Sequence, residues 1–285
     1  MSDQSQVKVA PRGFTRIAQM WPLASFFALA YLWSWTTWLA VPRLVRQHQL
    51  GWKFDTFDIT LIMVGAFGPT VAAFVTQWLA FRNLKICPVW TGWRRMVSGL
   101  MFGLTAFFIA TVVMPAVALA KEPIYTLHWS ALLHWSLYDV NYSTFLGGPI
   151  NEEPGWRGFA LPRLQARFGP FFASAILAPL WAIWHLPMFL IPGWNTGSLW
   201  EYVLILFGVS LLLTLAANLA RFGILVAMAL HLFFNLSTRV MNAVIANVST
   251  RAHDMLIYTL TVCGTAIAIS LIGLQWCRAP ADQHS

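Results

Sequence analysis

Long apolar runs make up most of this chain, and the polar positions between them are few and clustered. Seven stretches, at about 22–41, 59–81, 96–120, 170–192, 202–220, 222–238 and 255–276, are nearly or wholly free of Lys, Arg, Asp and Glu. Each is close to the ~20 residues a helix needs to cross the hydrocarbon core of a bilayer. An eighth, about 130–150, is less apolar because it carries His134, Asp139 and Asn141, and it leads straight into two adjacent glutamates. Backbone groups in lipid must be satisfied within the segment, so these runs are helices rather than strands. The pattern predicts an all-α membrane protein, a bundle of about eight transmembrane helices. In the second span, "GAFGPTVAAF" (65–74) sets small residues around a proline, which predicts close helix packing and a kink.

Composition agrees. Of 285 residues 58% are hydrophobic and only 10% charged, with 16 Trp, 21 Phe and a mean hydropathy of +0.64. Soluble domains carry about 25% charged residues, so much of this surface faces lipid. The net charge of +8 is explained by placement. With the N-terminus inside, twelve basic residues fall on the cytoplasmic side: Lys8, Arg12, Arg16, Arg82, Lys85, Arg94, Arg95, Arg157, Arg163, Arg167, Arg221 and Arg278. Six fall opposite: Arg43, Arg46, Lys53, Lys121, Arg239 and Arg251. That asymmetry is the positive-inside pattern; it puts both termini in the cytoplasm and argues against nucleic acid as a partner. The Trp/Arg-interleaved "RNLKICPVWTGWRR" (82–95) reads as an interfacial belt.

The organisation follows: a basic cytoplasmic tail over 1–20, one membrane domain over 21–277, and a polar tail over 278–285. The first apolar run is too long for a signal-peptide core and is followed by no convincing cleavage site, so it reads as an uncleaved helix. Cys87, Cys263 and Cys277 are scattered and odd in number, and they outline neither a disulfide framework nor a CxxC metal site.

Ionisable groups inside a bilayer are costly and mark function. They occur here in "NEEPGWRG" (151–158), at His185 in "WAIWHLP", at His231 and Asn235 in "HLFFN", and at Asp139. Adjacent helical residues point ~100° apart, so Glu152 and Glu153 cannot share one task. Glu153 and Arg157 stand four apart in the order that favours pairing, which leaves Glu152 facing elsewhere. Pro154 is tolerated if Glu152 opens a helix capped by Asn151. A solvated cytoplasmic loop accounts for this stretch equally well. His231 and Asn235, also four apart, share a face; alone they would read as interhelical packing. Trp181 and Trp184 read as packing or belt residues, and Asp139 as a cavity or interface residue.

Taken together, two carboxylates, an arginine, two histidines and an asparagine supply the parts for hydrolysis. A desolvated carboxylate beside a second one is a stronger base than an exposed one. His and Asn can supply fixed donors to an oxyanion. One glutamate would then work on water, and the other would hold the helix through Arg157.

The order Glu152-Glu153…Arg157, Trp181…His185 and His231…Asn235 resembles the CAAX-protease and bacteriocin-processing (Abi) family of intramembrane endopeptidases. That family's motifs are EExxxR, an aromatic-xxxH in which Phe is commonest, and HxxxN. The likeness covers about 145–240, with only "GAFGP" matched before it; Trp181 in place of Phe is a mild change of aromatic. The resemblance implies a hydrolase of the bacterial inner membrane that cleaves membrane-associated proteins or peptides. Glu152 would activate water with His185 assisting, His231 and Asn235 would stabilise the oxyanion, and Glu153 with Arg157 would support the site. A metalloprotease is also implied as an option, with zinc on Glu152, His185 and His231; without HExxH, a metal-free glutamate mechanism is equally compatible. Two other classes fit the same polar spans. One is a non-proteolytic scaffold or transporter with a polar cavity. The other is a bis-histidine haem protein with His185 and His231 as axial ligands.

Overall fold

A computed structural model describes residues 13–40, 56–119, 144, 148–191, 198–244 and 252–273, and among them there is helix and no strand. A short helix α1 (Phe14–Met20) precedes α2 (Pro22–Trp35), which continues as a π-helical turn over Thr36–Ala40. Next come α3 (Thr56–Ala66), α4 (Gly68–Phe81), α5 (Trp93–Phe108) and α6 (Met114–Leu119). After these follow α7 (Pro149–Glu153), α8 (Leu161–Trp184) and the single turn α9 (Pro187–Leu190). The last are α10 (Leu199–Leu219), α11 (Ile224–Val244) and α12 (Ala252–Gly273). Five helical stretches, Thr60–Phe81, Trp93–Leu119, Pro149–Leu190, Leu199–Leu219 and Met255–Gly273, are long and apolar enough to cross a membrane. This is an integral membrane protein. The expected seven spans coincide with helices; the eighth, 130–150, lies outside the described residues except for Thr144 and Gly148–Ile150, and with it Asp139.

Prolines shape these helices by removing donors. The α3–α4 break falls at Phe67, and Pro69 has no N–H to offer the Gly65 carbonyl. Ser34 Oγ donates to that carbonyl instead at 2.7 Å, and Trp33 Nε1 donates to the neighbouring Val64 carbonyl at 2.8 Å. Freed carbonyls in lipid need such partners. The glycines let α2 come close enough: a Cβ on Gly68 would collide with Ser34 Oγ and the Ala30 carbonyl, and one on Gly65 with the Trp38 indole. Between α5 and α6, Ile109–Val113 widens into a π turn just before Pro115, the local adjustment a proline imposes on the ladder. Helix α10 runs through the middle of the bundle, packed against α5, α8, α11 and α12.

The charged stretch is not a loop. α7, a π-helical segment over Pro154–Ala160 and α8 follow one another without interruption, and the chain turns only at Gly169 (φ 73°, ψ 169°) before Pro170. The expected span start at 170 is therefore only the second half of a longer helical run. The helix opens at Pro149 behind Gly148, not at Glu152, and Asn151 lies buried inside it rather than capping it. Pro149 suits the first helical position, where no N–H is needed. Pro154, five residues in, has no amide for the ladder, and the wider π pairing begins there. Arg157 is 1% exposed, so it is no interfacial charge; taking it out leaves eleven basic residues against six.

Candidate active site

Gly148 begins the site. Its φ of 104° is a conformation side chains resist, and its carbonyl accepts the Glu152 N–H at 2.7 Å. A Cβ there would collide with Glu152 Oε1, so the carboxylate lies over the glycine. Both demands point the same way: Gly148→Ala is expected to strain the turn and displace the carboxylate. Misplacement of a reacting group by ~1 Å costs on the order of 10²-fold in rate. Steady-state kinetics on folded protein check this; unchanged kcat would show that Oε1 tolerates the displacement.

Both glutamates are buried, Glu152 at 3% and Glu153 at 0% exposure. As the ~100° offset requires, they face different partners. Glu152 Oε2 accepts two indole hydrogen bonds, from Trp181 Nε1 at 2.6 Å and from Trp156 Nε1 at 3.2 Å. Glu153 Oε1 accepts from Arg157 Nη1 at 2.9 Å, the pair expected from the spacing, and also from His231 Nδ1 at 2.7 Å. The Arg157 guanidinium carbon lies 4.2 Å from the centre of the Trp181 ring, a cation–π contact. Glu153 thus ties α11 as well as Arg157 to α7.

His185 stands where α8 ends. Pro187 cannot continue the ladder, and the turn tightens so that the His185 N–H bonds to Ala182. This frees the Trp181 carbonyl, which accepts from His185 Nδ1 at 2.9 Å. A carbonyl can only accept, so Nδ1 carries the proton and Nε2 of the neutral ring presents a lone pair. Trp184 packs edge-on against His185 at 4.6 Å between ring centres, and Tyr202 of α10 does the same at 5.3 Å. Asn235 is half-buried, one turn beyond His231 on α11.

Glu152, Glu153, Arg157, His185 and His231 are brought together around Trp181. Trp181 does pack in the buried core, as expected, but its indole also bonds Glu152, so its replacement of Phe is not mild: phenylalanine has no N–H to give Glu152. Trp156 was found by no motif, although its i+4 spacing from Glu152 was a legible signal. Tyr202 carried no signal, since it reaches His185 only through the packing of α10 on α8.

The α7 helix is pressed onto α4. Thr70 Oγ1 donates to the Asn151 carbonyl at 2.7 Å, and a Cβ on Gly155 would run into the Pro69 backbone. Beside it opens an apolar cleft of about 670 Å³, walled by Phe74 of α4, the segment Leu84–Val89, Ile224 and Met228 of α11, and Pro154. Cys87, on this wall, has its thiol pushed up to about 11 by burial. Among the described residues no group of three His, Cys, Asp or Glu side chains is arranged to hold a metal ion. Both imidazole Nδ1 atoms, and Glu152 Oε2, are already engaged with protein. Glu152, His185 and His231 as placed do not form such a group.

Comparison with known proteins falls on the same residues. The family model for Rce1-like, type II CAAX prenyl endopeptidases matches residues 140–237. A protein named CAAX prenyl protease 2 from Methanococcus maripaludis is 29% identical over 94 residues, 30% of this chain and 35% of that protein. The match thus spans about a third of the relative's length. The segment that holds both buried glutamates and both histidines is the one that is similar to the CAAX protease family.

Proposed function

We propose that the chain is an intramembrane endopeptidase in which Glu152 activates the water that attacks a peptide carbonyl. The observation that carries this is the division of labour between the two glutamates. Glu153 is committed on one oxygen to Arg157 and His231, whereas Glu152 is held on one oxygen by indoles alone and has no cation bonded to it among the described residues. In the proposed step, water gives its proton to Glu152 as its oxygen bonds to the carbonyl carbon. The tetrahedral oxyanion then collapses, the C–N bond breaks, and the proton passes to the departing amine. The Nε2 lone pair of His185 helps to orient the water. His231, its ring held at Nδ1 by Glu153, and Asn235 serve as the donors to the oxyanion.

The substrate class follows from the setting: a protein or peptide at the membrane, with an apolar arm for the cleft beside Pro154. The relative's name supports a prenylated protein, and the positive-inside pattern supports cytoplasmic termini in a bacterial inner membrane. Bacteriocin processing is a second substrate class within the same reaction. Quantitative terminal proteomics of membranes from wild type and Glu152→Gln tests the reading. An uncleaved species accumulating in the mutant is expected; identical termini in the two membranes would refute it.

Asn235 gives an independent check. A donor used mainly in the transition state lowers kcat and leaves KM nearly unchanged when lost. Asn235→Ala is therefore expected to cost on the order of 10²–10³ in kcat. Near-normal kcat in folded Asn235→Ala would remove it from the site.

A further inference from the structure

We propose that Trp181 is the positioning residue of the site, fixing Glu152 so that Oε1, not Oε2, takes the proton from water. The inference rests on the hydrolytic reading above and deepens it. An indole N–H only donates, and that of Trp181, 1% exposed, is spent on Glu152 Oε2 at 2.6 Å, the shorter of the two indole bonds there. With Oε2 held by two donors, Oε1 is the oxygen left over Gly148, where a side chain would strike it.

The same residue reaches three other groups of the cluster. Its ring face lies under the Arg157 guanidinium at 4.2 Å, and its edge meets the His231 ring at 5.4 Å between centres. Its carbonyl holds His185 Nδ1 at 2.9 Å. One side chain on α8 therefore sets the base on α7 against the imidazole on α11, while its backbone sets the tautomer of His185. A residue that merely filled space would need the ring but not the N–H.

Trp181→Phe separates the two roles, because it keeps an aromatic face and deletes the donor. A charge-assisted hydrogen bond of this kind corresponds to about 10- to 100-fold. The expected result is a kcat lower by that factor, a KM within about twofold, and a melting temperature like that of Trp33→Phe. The latter loses an indole bond to the Val64 carbonyl, outside the cluster, and is expected to keep wild-type kcat. Trp156→Phe, which removes the longer bond, is expected to lose less than Trp181→Phe. If Trp181→Phe fails to fold, site-specific insertion of benzothienylalanine at 181 keeps the bicyclic shape without the N–H and is expected to give the same loss.

Infrared difference spectra against Glu152→Gln isolate the Glu152 carboxyl band, which is expected to shift in Trp181→Phe whether or not peptide is cleaved. An unshifted band, or a Trp181→Phe enzyme with wild-type kcat, overturns the proposal while leaving Glu152 as base. Full activity in Glu152→Gln instead overturns the hydrolytic reading, and the band shift would then still report the hydrogen bond alone.

Discussion

Glu152→Gln is expected to lower kcat by about 10²–10⁴-fold, the contribution of a positioned general base, and to leave the fold nearly unchanged. The second half of that expectation comes from the hydrogen bonds. Glu152 Oε2 accepts from Trp181 and Trp156, and a glutamine can turn its carbonyl oxygen to the same two donors. Its amide nitrogen then takes the place of Oε1 over Gly148. The side chain keeps its partners and loses only the ability to accept a proton from water. A melting temperature within a few degrees of wild type, with cleavage gone, separates catalysis from structure. Loss of both together would mean that the carboxylate holds the helices and does no chemistry.

The second large effect is on stability, and it is asymmetric. Glu153→Met strands two buried groups, Arg157 and His231, because both bond to the same oxygen. Arg157→Met leaves Glu153 still bonded to His231. Removing one partner of a buried ion pair costs ~3–5 kcal/mol, while replacing both by apolar side chains is often close to neutral. Glu153→Met is therefore expected to be the more destabilising single change, and the double mutant less destabilised than the sum of the singles. A cycle of detergent-solubilised unfolding measurements reads both. Strict additivity, or Arg157→Met as the worse variant, would show that the pair is not coupled as drawn.

What the sequence made legible was whatever helical spacing alone determines. Charge-free length marked the spans, and i,i+4 spacing paired Glu153 with Arg157, which the structure joins at 2.9 Å. Two glycines and a proline in "GAFGP" announced the close, kinked packing of α3 and α4 on α2. Apart from the local Trp156–Glu152 bond, the misses lay in contacts between distant segments or in backbone adjustments. Trp181 and Glu152 are 29 residues apart and His231 and Glu153 are 78 apart, and no periodicity connects them. An indole in an apolar run looks like packing until its N–H is seen to have one acceptor. The "NEEPGWRG" stretch fitted a loop as well as a helix, because charge and proline usually belong to a loop. Here Glu153 and Arg157 pair inside the bundle, Glu152 is held by indoles, and the proline is absorbed by a π-helical segment. Asn151 looked like a cap because it precedes the acids, yet Gly148, with its positive φ, begins the helix one turn earlier.

The most direct test is hydrolysis by the purified protein in liposomes, carried out in ¹⁸O-labelled water on a membrane-anchored reporter peptide. Glutamate-activated water predicts a product whose new carboxylate carries one ¹⁸O from solvent with wild type, formed at least about 10²-fold more slowly with Glu152→Gln. Labelled product formed at the wild-type rate by Glu152→Gln would contradict it.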